Sequence, residues 1–282
     1  MLGKKRKIDS KEIGLDIGLI MAKQMFNTEY LHYGFWPDDL EVQTTNVAEA
    51  QEKYAEFLAS NIPDGVKTIL DVGCGAGKFA QKLLDLGYDV DCVCPSPYLS
   101  KHARQMTGNR GDFFECGYED VETNKTYDMV LFSESFQYIP LEKLLPQTLR
   151  FLKKDGYMLI CDFFRRDVEG TSPIGGGHDL KKFHRMMKEV PFKIVKEQDI
   201  TKETAPSMDI VNNFLTDALH PIYDLIFYVL DNNYPKVAKF LRWKFKKKID
   251  KIEFKYFKKL SNAESFAKFK VYYLFLCQRI KE

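Results

Sequence analysis

The 282-residue sequence lacks the features that define several special classes of protein. No stretch approaches the roughly 18 uncharged apolar residues that a membrane-spanning helix needs, and the longest candidate, 221–230, is short and contains Asp224. The basic N-terminal segment is not followed by an apolar run of the signal-peptide type. Internal repeats and low-complexity linkers are also absent. We therefore expect a soluble, cytoplasmic protein.

The cysteines do not have the spacing of a metal site. Cys92 and Cys94 form a C-x-C pair, but no second pair with metal-ligand spacing accompanies it. Most of the six cysteines lie in or beside apolar runs, which predicts buried free thiols in a reduced compartment and no metal. The formal net charge is only +2 and says nothing strong about partners, and we expect no DNA partner.

The middle of the sequence alternates between strand patterns and helix patterns. Apolar residues make up 45% of the chain, enough for a sizeable core. The predicted strands are 68–72, 89–94, 113–116, 127–132, 157–164, 192–200 and 269–280, and the predicted helices between them are 78–86, 98–106, 141–152 and 180–188. A turn is expected at Asp155-Gly156. This alternation predicts an α/β fold with a parallel sheet covered on both faces.

The flanking regions have a different composition. Residues 1–60 have the pattern of two or three helices and predict an N-terminal helical cap on the edge of the sheet. Residues 201–265 are helical in pattern and rich in aromatic side chains. We expect four segments: the cap at 1–60, a core at 61–200, a helical lid insertion at 201–265 and a final core strand at 266–282.

A glycine loop in the run ILDVGCGAGKFA is the sharpest motif. A buried strand ends near Asp71, the glycines Gly73, Gly75 and Gly77 follow at alternate positions, and a helix begins at once. Glycines permit positive φ and leave room for a ligand against the backbone, while the helix N-terminus offers free N–H groups. The spacing is neither the dinucleotide G-x-G-x-x-G pattern nor a phosphate-binding P-loop. It predicts a ligand crevice at the carboxyl ends of the strands.

At this loop the sequence resembles the class I methyltransferases that use S-adenosylmethionine (SAM). The resemblance implies a Rossmann-like, seven-stranded, mostly parallel sheet with an antiparallel last strand. It implies that Asp71, Gly73 and Gly75 surround the methionine part of SAM. The predicted cofactor-binding residues are Tyr33, Asp71, Gly73, Cys74, Gly75, Gly77, Cys94, Pro95, Ser96, Gly117, Tyr118, Glu119 and Ser133.

Two positions depart from the pattern of this family. Cys94 stands where the family usually has an acid that bonds the ribose hydroxyls, and a thiol is a poor acceptor. Ser96 or backbone groups would then have to hold the ribose. Gly117 stands where an acid near the adenine is often found, with Tyr118 and Glu119 near enough to replace it.

Candidate residues for the methyl acceptor follow the fourth strand. The run Leu131–Ile139 resembles the E-S-x-x-H segment of tocopherol-type and sterol-type methyltransferases, with Tyr138 in place of the histidine. Glu134 is predicted to orient the acceptor or to stabilise positive charge on it, and Tyr138 to hydrogen-bond the nucleophile. His178, after a glycine-rich loop, is a candidate general base. For Glu134 a helix cap or a surface acid is the competing interpretation, for Tyr138 plain packing, and for His178 a capping or solvent-facing histidine.

An N-terminal motif adds an aromatic candidate. The run LHYGFW at 31–36 is similar to an H-Y-G-aromatic-W segment of small-molecule methyltransferases, in which the residue matching Tyr33 closes over the cofactor. An aromatic face can also favour a sulfonium through cation–π contact. A core aromatic cluster is the competing interpretation.

A basic segment lies near the end of the helical insertion. Residues 236–259 contain eleven lysines and arginines against Asp250 and Glu253, interleaved with Phe240, Trp243, Phe245, Phe254, Tyr256 and Phe257. Three interpretations remain open: a surface for nucleic acid or an anionic membrane, a lid helix over a hydrophobic acceptor, or a solvated lysine face on a packed helix.

These patterns predict a SAM-dependent methyltransferase that acts on an oxygen, nitrogen or carbon atom of a small, apolar metabolite. An RNA methyltransferase is the alternative that the basic segment suggests, although no RNA-binding module is recognisable. A SAM-binding protein without catalysis is the alternative that Cys94 and Gly117 suggest.

Overall fold

A mostly parallel sheet forms the centre of the computed structural model, which describes residues 10–253, 258 and 260–280. Its strands are β1 (Thr68–Val72), β2 (Asp89–Val93), β3 (Phe113–Phe114), β4 (Tyr127–Ser133), β5 (Leu152–Arg165), β6 (His178–Asp179), β7 (Phe192–Asp199) and β8 (Lys270–Arg279). The main order is β3-β2-β1-β4-β5-β8-β7, with β8 antiparallel to both of its neighbours. The predicted seven-stranded sheet is confirmed, and the two-residue β6 pairs with β5 as an eighth strand.

Helices cover the sheet and fill the two flanking regions. They are α1 (Ser10–Met25), α2 (Val47–Ala59), α3 (Lys78–Asp85), α4 (Pro97–Met106), α5 (Leu141–Phe151), α6 (Leu180–Met187), α7 (Thr201–Thr204), α8 (Pro206–Asn213), α9 (His220–Asn233), α10 (Pro235–Ile252) and α11 (Ala263–Phe269). A π-helical turn at Phe214–Leu219 joins α8 to α9. None of the helices in the described part of the chain combines the length and the apolar character that crossing a bilayer requires.

The central strands are buried on both faces. In β4, Met129 and Leu131 belong to one hydrophobic core, whereas Val130 and Phe132 belong to the core on the opposite face. Successive side chains of a strand point to opposite faces, so burial on both sides requires an unbroken apolar run. The unbroken apolar runs in the sequence are therefore the reason that the sheet could be predicted.

The predicted turn at Asp155-Gly156 falls within β5, in an irregular stretch where residues 153–156 have no register partner in β4 or β8 and regular pairing resumes at Tyr157. Asp155 has a positive φ of 60°, and the pairing of β4 with β5 shifts register between Tyr127 and Met129. A bulge of this kind absorbs extra residues without ending the strand. A Cβ on Gly156 would stand 3.0 Å from two backbone oxygens, so a glycine is needed where the two strands approach.

The start of the helical insertion braces the N-terminal region. The Ser207 hydroxyl at the beginning of α8 accepts hydrogen bonds from the Gly34 amide and the Trp36 indole, both at 2.9 Å. The Trp36 amide donates to the carbonyl of Glu203 at 2.8 Å. Segments that are about 170 residues apart in sequence are thereby joined over one end of the sheet.

Candidate functional site

The candidate site lies where the strand order reverses, between β1 and β4. The chain leaves β1 for the strands on one side and reaches β4 on the other, and ligands of open α/β sheets bind in the crevice at such a point. The glycine loop follows β1 and Glu134 follows β4, so both lie at the same edge. A cavity of 540 Å³ occupies this crevice and is lined by both segments.

Most of the predicted site residues line this cavity. They are Asp71, Gly73, Cys74, Gly75, Cys94, Pro95, Ser96, Gly117, Tyr118, Glu119, Ser133, Glu134 and Tyr138. Tyr33, Gly77 and His178 are not part of its wall. The six cysteines are free thiols, and all except Cys116 are buried.

The three glycines of the loop serve different purposes. All have positive φ, at 79°, 55° and 84° for Gly73, Gly75 and Gly77. A Cβ on Gly73 would collide with Ser135 at 2.4 Å, and one on Gly77 would lie 2.6 Å from the backbone of Ala103 in α4. Around Gly75 the space is open apart from an ordinary contact with Leu31. Gly73 and Gly77 thus permit close packing, whereas Gly75 leaves backbone facing the cavity.

Asp71 presents an unsatisfied carboxylate at this wall. Its side chain is buried, and its Oδ2 atom has no hydrogen-bond partner among the described residues. Burial raises the pKa of Asp71 to about 7, because the charged form loses its hydration. A buried carboxylate without a partner is costly unless a ligand satisfies it. The ammonium group of SAM has the charge and the donors that this position lacks.

A carboxylate from α1, that of Asp16, lies near the end of β2. The Cys94 thiol lies 3.6 Å from the Ser96 carbonyl, and the Ser96 hydroxyl caps α4 by accepting from the Leu99 amide at 3.2 Å. That hydroxyl also donates to Asp16 of α1 at 3.1 Å. An acid from the N-terminal helix therefore stands beside the position where Cys94 replaces the usual one.

The loop after β3 contributes one core residue and one polar residue. The buried Tyr118 shares a hydrogen bond of 3.0 Å with the Thr148 hydroxyl, so its polar end is satisfied within the fold. The carboxylate of Glu119 lies within 3.2 Å of the position that a Cβ on Gly117 would take. Both residues line the cavity, and of the two only Glu119 has a charged side chain.

Glu134 occupies a strained position at the end of β4. Its φ is 55°, a conformation that residues other than glycine rarely adopt and that is concentrated at functional sites. Its Oε1 atom accepts from the Tyr33 amide at 2.7 Å and from the Tyr272 hydroxyl at 2.8 Å. Burial raises the pKa of Glu134 to about 8, and the nearby Asp162 adds to this rise. The carboxyl can therefore exchange a proton near neutral pH.

Two buried tyrosines extend this network below Glu134. The hydroxyl groups of Tyr54 and Tyr272 lie 2.9 Å apart, and the Ser133 hydroxyl is 3.5 Å from Tyr54. Tyr54 and Tyr272 are fully buried, so their positions do not depend on solvent. These hydrogen bonds from buried side chains fix the orientation of the Glu134 carboxyl.

Tyr33 does not close over the cavity, which corrects the sequence-based expectation. Its ring stacks on Phe163 with centroids 6.4 Å apart and meets Phe266 and Tyr272 at 6.1 Å. The side chain thus belongs to an aromatic cluster beside α11, the arrangement that was the competing interpretation. It is the backbone amide of Tyr33 that reaches the site, through Glu134.

His178 also lies away from the cavity wall. Its Nε2 atom is 3.0 Å from the carbonyl oxygens of both Phe136 and Ile139, so this nitrogen must carry a proton and donate. Burial lowers the pKa of His178, which keeps the ring neutral. The histidine therefore ties β6 to the turn after β4 and is not placed as a general base. Tyr138, by contrast, lines the cavity with an exposed side chain at its rim.

The structure brings in residues that motif analysis missed. Leu15 of α1 and the segment 29–32 line the cavity from the N-terminal side. Glu29 interacts with His102 and Lys23, which lower its pKa against the opposing effect of burial. The Nδ1 atom of His32 lies 2.8 Å from the Tyr33 carbonyl and its buried Nε2 has no partner among the described residues. The position of His32 inside LHYGFW was the only sequence signal.

Comparison with known proteins identifies the family. A family model described as a methyltransferase domain matches residues 45–203, more than half of the chain. The chain therefore belongs to the methyltransferase-domain family. The identification as a class I SAM-dependent methyltransferase, with SAM as the family's cofactor, is confirmed.

Curated relatives match the central part of the chain. The malonyl-(acyl-carrier protein) O-methyltransferase of Acetivibrio thermocellus is 30% identical over 123 residues, which is 41% of this chain and 44% of the relative. The ubiquinone biosynthesis O-methyltransferase of Rickettsia prowazekii is 27% identical over 119 residues, covering 40% of this chain and 47% of that protein. The match thus spans less than half the length of these relatives.

Solved structures share the whole fold at low sequence identity. The geranyl diphosphate C-methyltransferase of Streptomyces coelicolor, crystallised with S-adenosyl-L-homocysteine, has a TM-score of 0.67 and 14% identity over 98% of this chain and 100% of its own. The cyclase SpnF has a TM-score of 0.70 and 17% identity over 96% of this chain and 94% of its own. At such identities the likeness establishes the fold alone.

Proposed function

We propose that this chain transfers the methyl group of SAM to an oxygen, nitrogen or carbon atom of a small acceptor that gives up a proton to Glu134. One observation supports this most directly: a single cavity joins the glycine loop to the strained, buried carboxyl of Glu134. A cofactor bound on the loop and an acceptor beside Glu134 would then share one cavity. Methyl transfer needs little more than alignment and the exclusion of water.

The cofactor half of the cavity fits SAM in charge and shape. Asp71 would hold the ammonium group, and the open backbone at Gly75 leaves room for the methionine part. Asp16, which accepts from Ser96, would direct a carboxylate toward the ribose in place of Cys94. Glu119 would face the adenine. When bound, SAM supplies an electrophilic methyl group, so the protein itself need not activate the carbon.

The acceptor half is built around Glu134. The amide of Tyr33 and the hydroxyl of Tyr272 hold one oxygen of the carboxyl and so restrict its rotation. With a pKa of about 8, Glu134 would take the acceptor's proton as the new bond to the methyl carbon forms. Tyr138 at the rim would hydrogen-bond the acceptor. The protein thereby orients the acceptor and provides a destination for its proton.

The N-terminal block is proposed to act as the cap of this site. Leu15 and the segment 29–32 line the cavity, whereas none of the described residues of 201–265 does so. The insertion would act indirectly, because Ser207 holds the segment around Gly34 and Trp36 in place. In this proposal residues 10–60 form the cap, α7 and α8 support the cap, and the core binds the cofactor.

Release of S-adenosyl-L-homocysteine from SAM tests the proposal. Candidate acceptors are malonyl-(acyl-carrier protein), intermediates of ubiquinone biosynthesis and geranyl diphosphate, because proteins similar to this chain carry these words in their names. We expect turnover with one of these acceptors and a rate that rises with pH through about 8 and levels off above it, since the ionised form of Glu134 accepts the proton. SAM binding measured by calorimetry without release with any of them would instead indicate a binding protein without catalysis.

The variant Glu134→Gln separates the acceptor side from the cofactor side. The amide keeps the shape but cannot take a proton, so kcat should fall by about 100-fold or more while SAM affinity changes little. Glu142→Gln is the matched control, because Glu142 is an exposed acid of α5 paired with Lys182. A loss of SAM affinity with unchanged kcat would assign Glu134 to the cofactor and contradict the proposal.

A further inference from the structure

One face of α9 is apolar and lies outside the core. Ile222, Leu225, Ile226 and Val229 recur at helical spacing and expose between 49% and 63% of their surface. The opposite face, with Tyr223, Phe227 and Leu230, is half-buried. Four neighbouring aliphatic side chains on one exposed helix face are unusual for a surface that stays in water.

The adjacent helix α10 is basic and carries aromatic side chains. Residues 236–248 contain six lysines and one arginine and no acidic residue. Trp243 is 76% exposed, and the rings of Phe240 and Trp243 lie 6.1 Å apart. Positive charge and exposed aromatic side chains therefore occur on the same helix. Phe254, Tyr256 and Phe257, which the sequence places in the same basic segment, lie outside the described residues.

Contacts between the two helices hold these faces outward. The Arg242 guanidinium pairs with Asp231, with one N–O distance of 2.7 Å, and lies 4.8 Å from the ring centre of Phe227. The Tyr223 hydroxyl donates to Glu253 at 3.1 Å. The inner faces of α9 and α10 thus pack against each other. None of the described residues of the two helices lines the cavity. A lid over the acceptor does not account for the outer faces.

We propose that the α9–α10 hairpin docks on an anionic lipid surface. The lysines of α10 match negative headgroups, and the aliphatic face of α9 with Trp243 and Phe240 fits the boundary between headgroups and acyl chains. Binding to a nucleic acid would use the lysines and aromatics but would leave the aliphatic face in water. The combination of charge and aliphatic surface therefore favours lipid over nucleic acid.

Tryptophan fluorescence offers a direct test on the full chain. The sequence has two tryptophans, and Trp36 is buried whereas Trp243 is exposed. Titration with vesicles of phosphatidylcholine and phosphatidylglycerol should shift the emission to the blue, and phosphatidylcholine alone should not. The variant Trp243→Phe should abolish the shift while Trp36 keeps its own emission. Raising the salt from about 0.1 M to about 1 M should weaken binding, because the Debye length falls from about 10 Å to about 3 Å.

Vesicle sedimentation of charge variants tests the electrostatic part. Lys244→Glu/Lys247→Glu/Lys248→Glu should weaken partition at least about tenfold, since each lysine near an anionic surface contributes. The matched control Lys101→Glu/Lys143→Glu/Lys193→Glu makes the same change of net charge at exposed positions elsewhere. Equal loss in both variants would show a general charge effect and overturn the proposal.

Aliphatic variants test the apolar part. Leu225→Ser/Ile226→Ser should lower partition about tenfold, whereas Val168→Ser/Val195→Ser, also at exposed sites, should leave it unchanged. Circular dichroism confirms that each variant is folded, and the Trp243 signal of the unaltered chain is independent of any variant. No blue shift with anionic vesicles, a stable dimer that buries Trp243, or binding of single-stranded RNA without vesicle binding would each overturn the proposal.

Discussion

At the scale of single residues, two glycines differ in why a side chain is unfavourable: at one the backbone conformation alone disfavours it, and at the other a neighbouring helix also leaves no space. Gly77 and Gly65 have nearly the same φ, 84° and 86°. A Cβ at Gly77 meets the backbone of Ala103, whereas a Cβ at Gly65 meets nothing within 4 Å. The pair therefore separates the cost of the left-handed backbone from the cost of the close approach of α4.

We expect Gly65→Ala to lower the free energy of unfolding by about 1 kcal/mol, the cost of placing a side chain at positive φ. Gly77→Ala should lower it by about 3 kcal/mol, because the added methyl also pushes against α4. Urea denaturation of both variants measures the difference. Equal losses would show that α4 moves freely and that the glycine loop is not held by close packing.

The sequence predicts the location of residues that directly end or follow a strand. Asp71, Gly73 and Glu134 each follow or end a buried strand, so their position at one sheet edge follows from parallel pairing. Asp16, Glu29 and Tyr272 were missed, because they reach the site through contacts across as many as 138 residues of chain. Cofactor roles for all these residues remain predictions.

At the scale of elements, the junction of α8 with the N-terminal segment decides how the cap is held. Ser207 is buried and its hydroxyl accepts from two donors, the Gly34 amide and the Trp36 indole. Removing the acceptor leaves both donors buried without a partner. The cap would then lose its link to the helical insertion.

Ser207→Ala should lower the free energy of unfolding by about 2 kcal/mol. SAM affinity should fall as well, because residues 29–32 line the cavity next to this junction. Ser60→Ala is the control, since the exposed Ser60 hydroxyl donates only to the Phe57 carbonyl. Equal stability and affinity in Ser207→Ala and the unaltered chain would show that α8 does not support the cap.

At the scale of the whole molecule, buried carboxyls link stability to pH. Burial raises the pKa of Asp71 and Asp162 to about 7 and that of Glu134 to about 8. The folded state therefore holds protons that the unfolded state has lost, and stability falls as pH rises through these values. His32 acts in the opposite direction, but only between its folded pKa of about 4 and the ordinary histidine pKa of about 6.5, above which both states are neutral.

Between pH 6.5 and pH 8 we therefore expect the free energy of unfolding to fall by about 3 kcal/mol. Urea midpoints across this range measure the fall, and Asp162→Asn should make it shallower because one titrating carboxyl is removed. Saturating SAM should also reduce it, since a bound ammonium would stabilise the ionised Asp71. A midpoint that does not change with pH across this range would show that these carboxyls are ionised throughout.

By itself the sequence determined the sheet, the family of the chain and the location of the glycine loop, because burial on both faces demands apolar strands and three alternate positions with positive φ favour glycine. Only the tertiary structure decided which side chains surround the cavity. It leaves Tyr33 and His178 outside the cavity wall, adds His32 from the N-terminal block to that wall, and places Asp16 on the hydroxyl of the lining residue Ser96. Those choices depend on how helices far apart in the chain pack over the sheet, and local patterns of hydrophobicity and turn residues contain no information on such contacts.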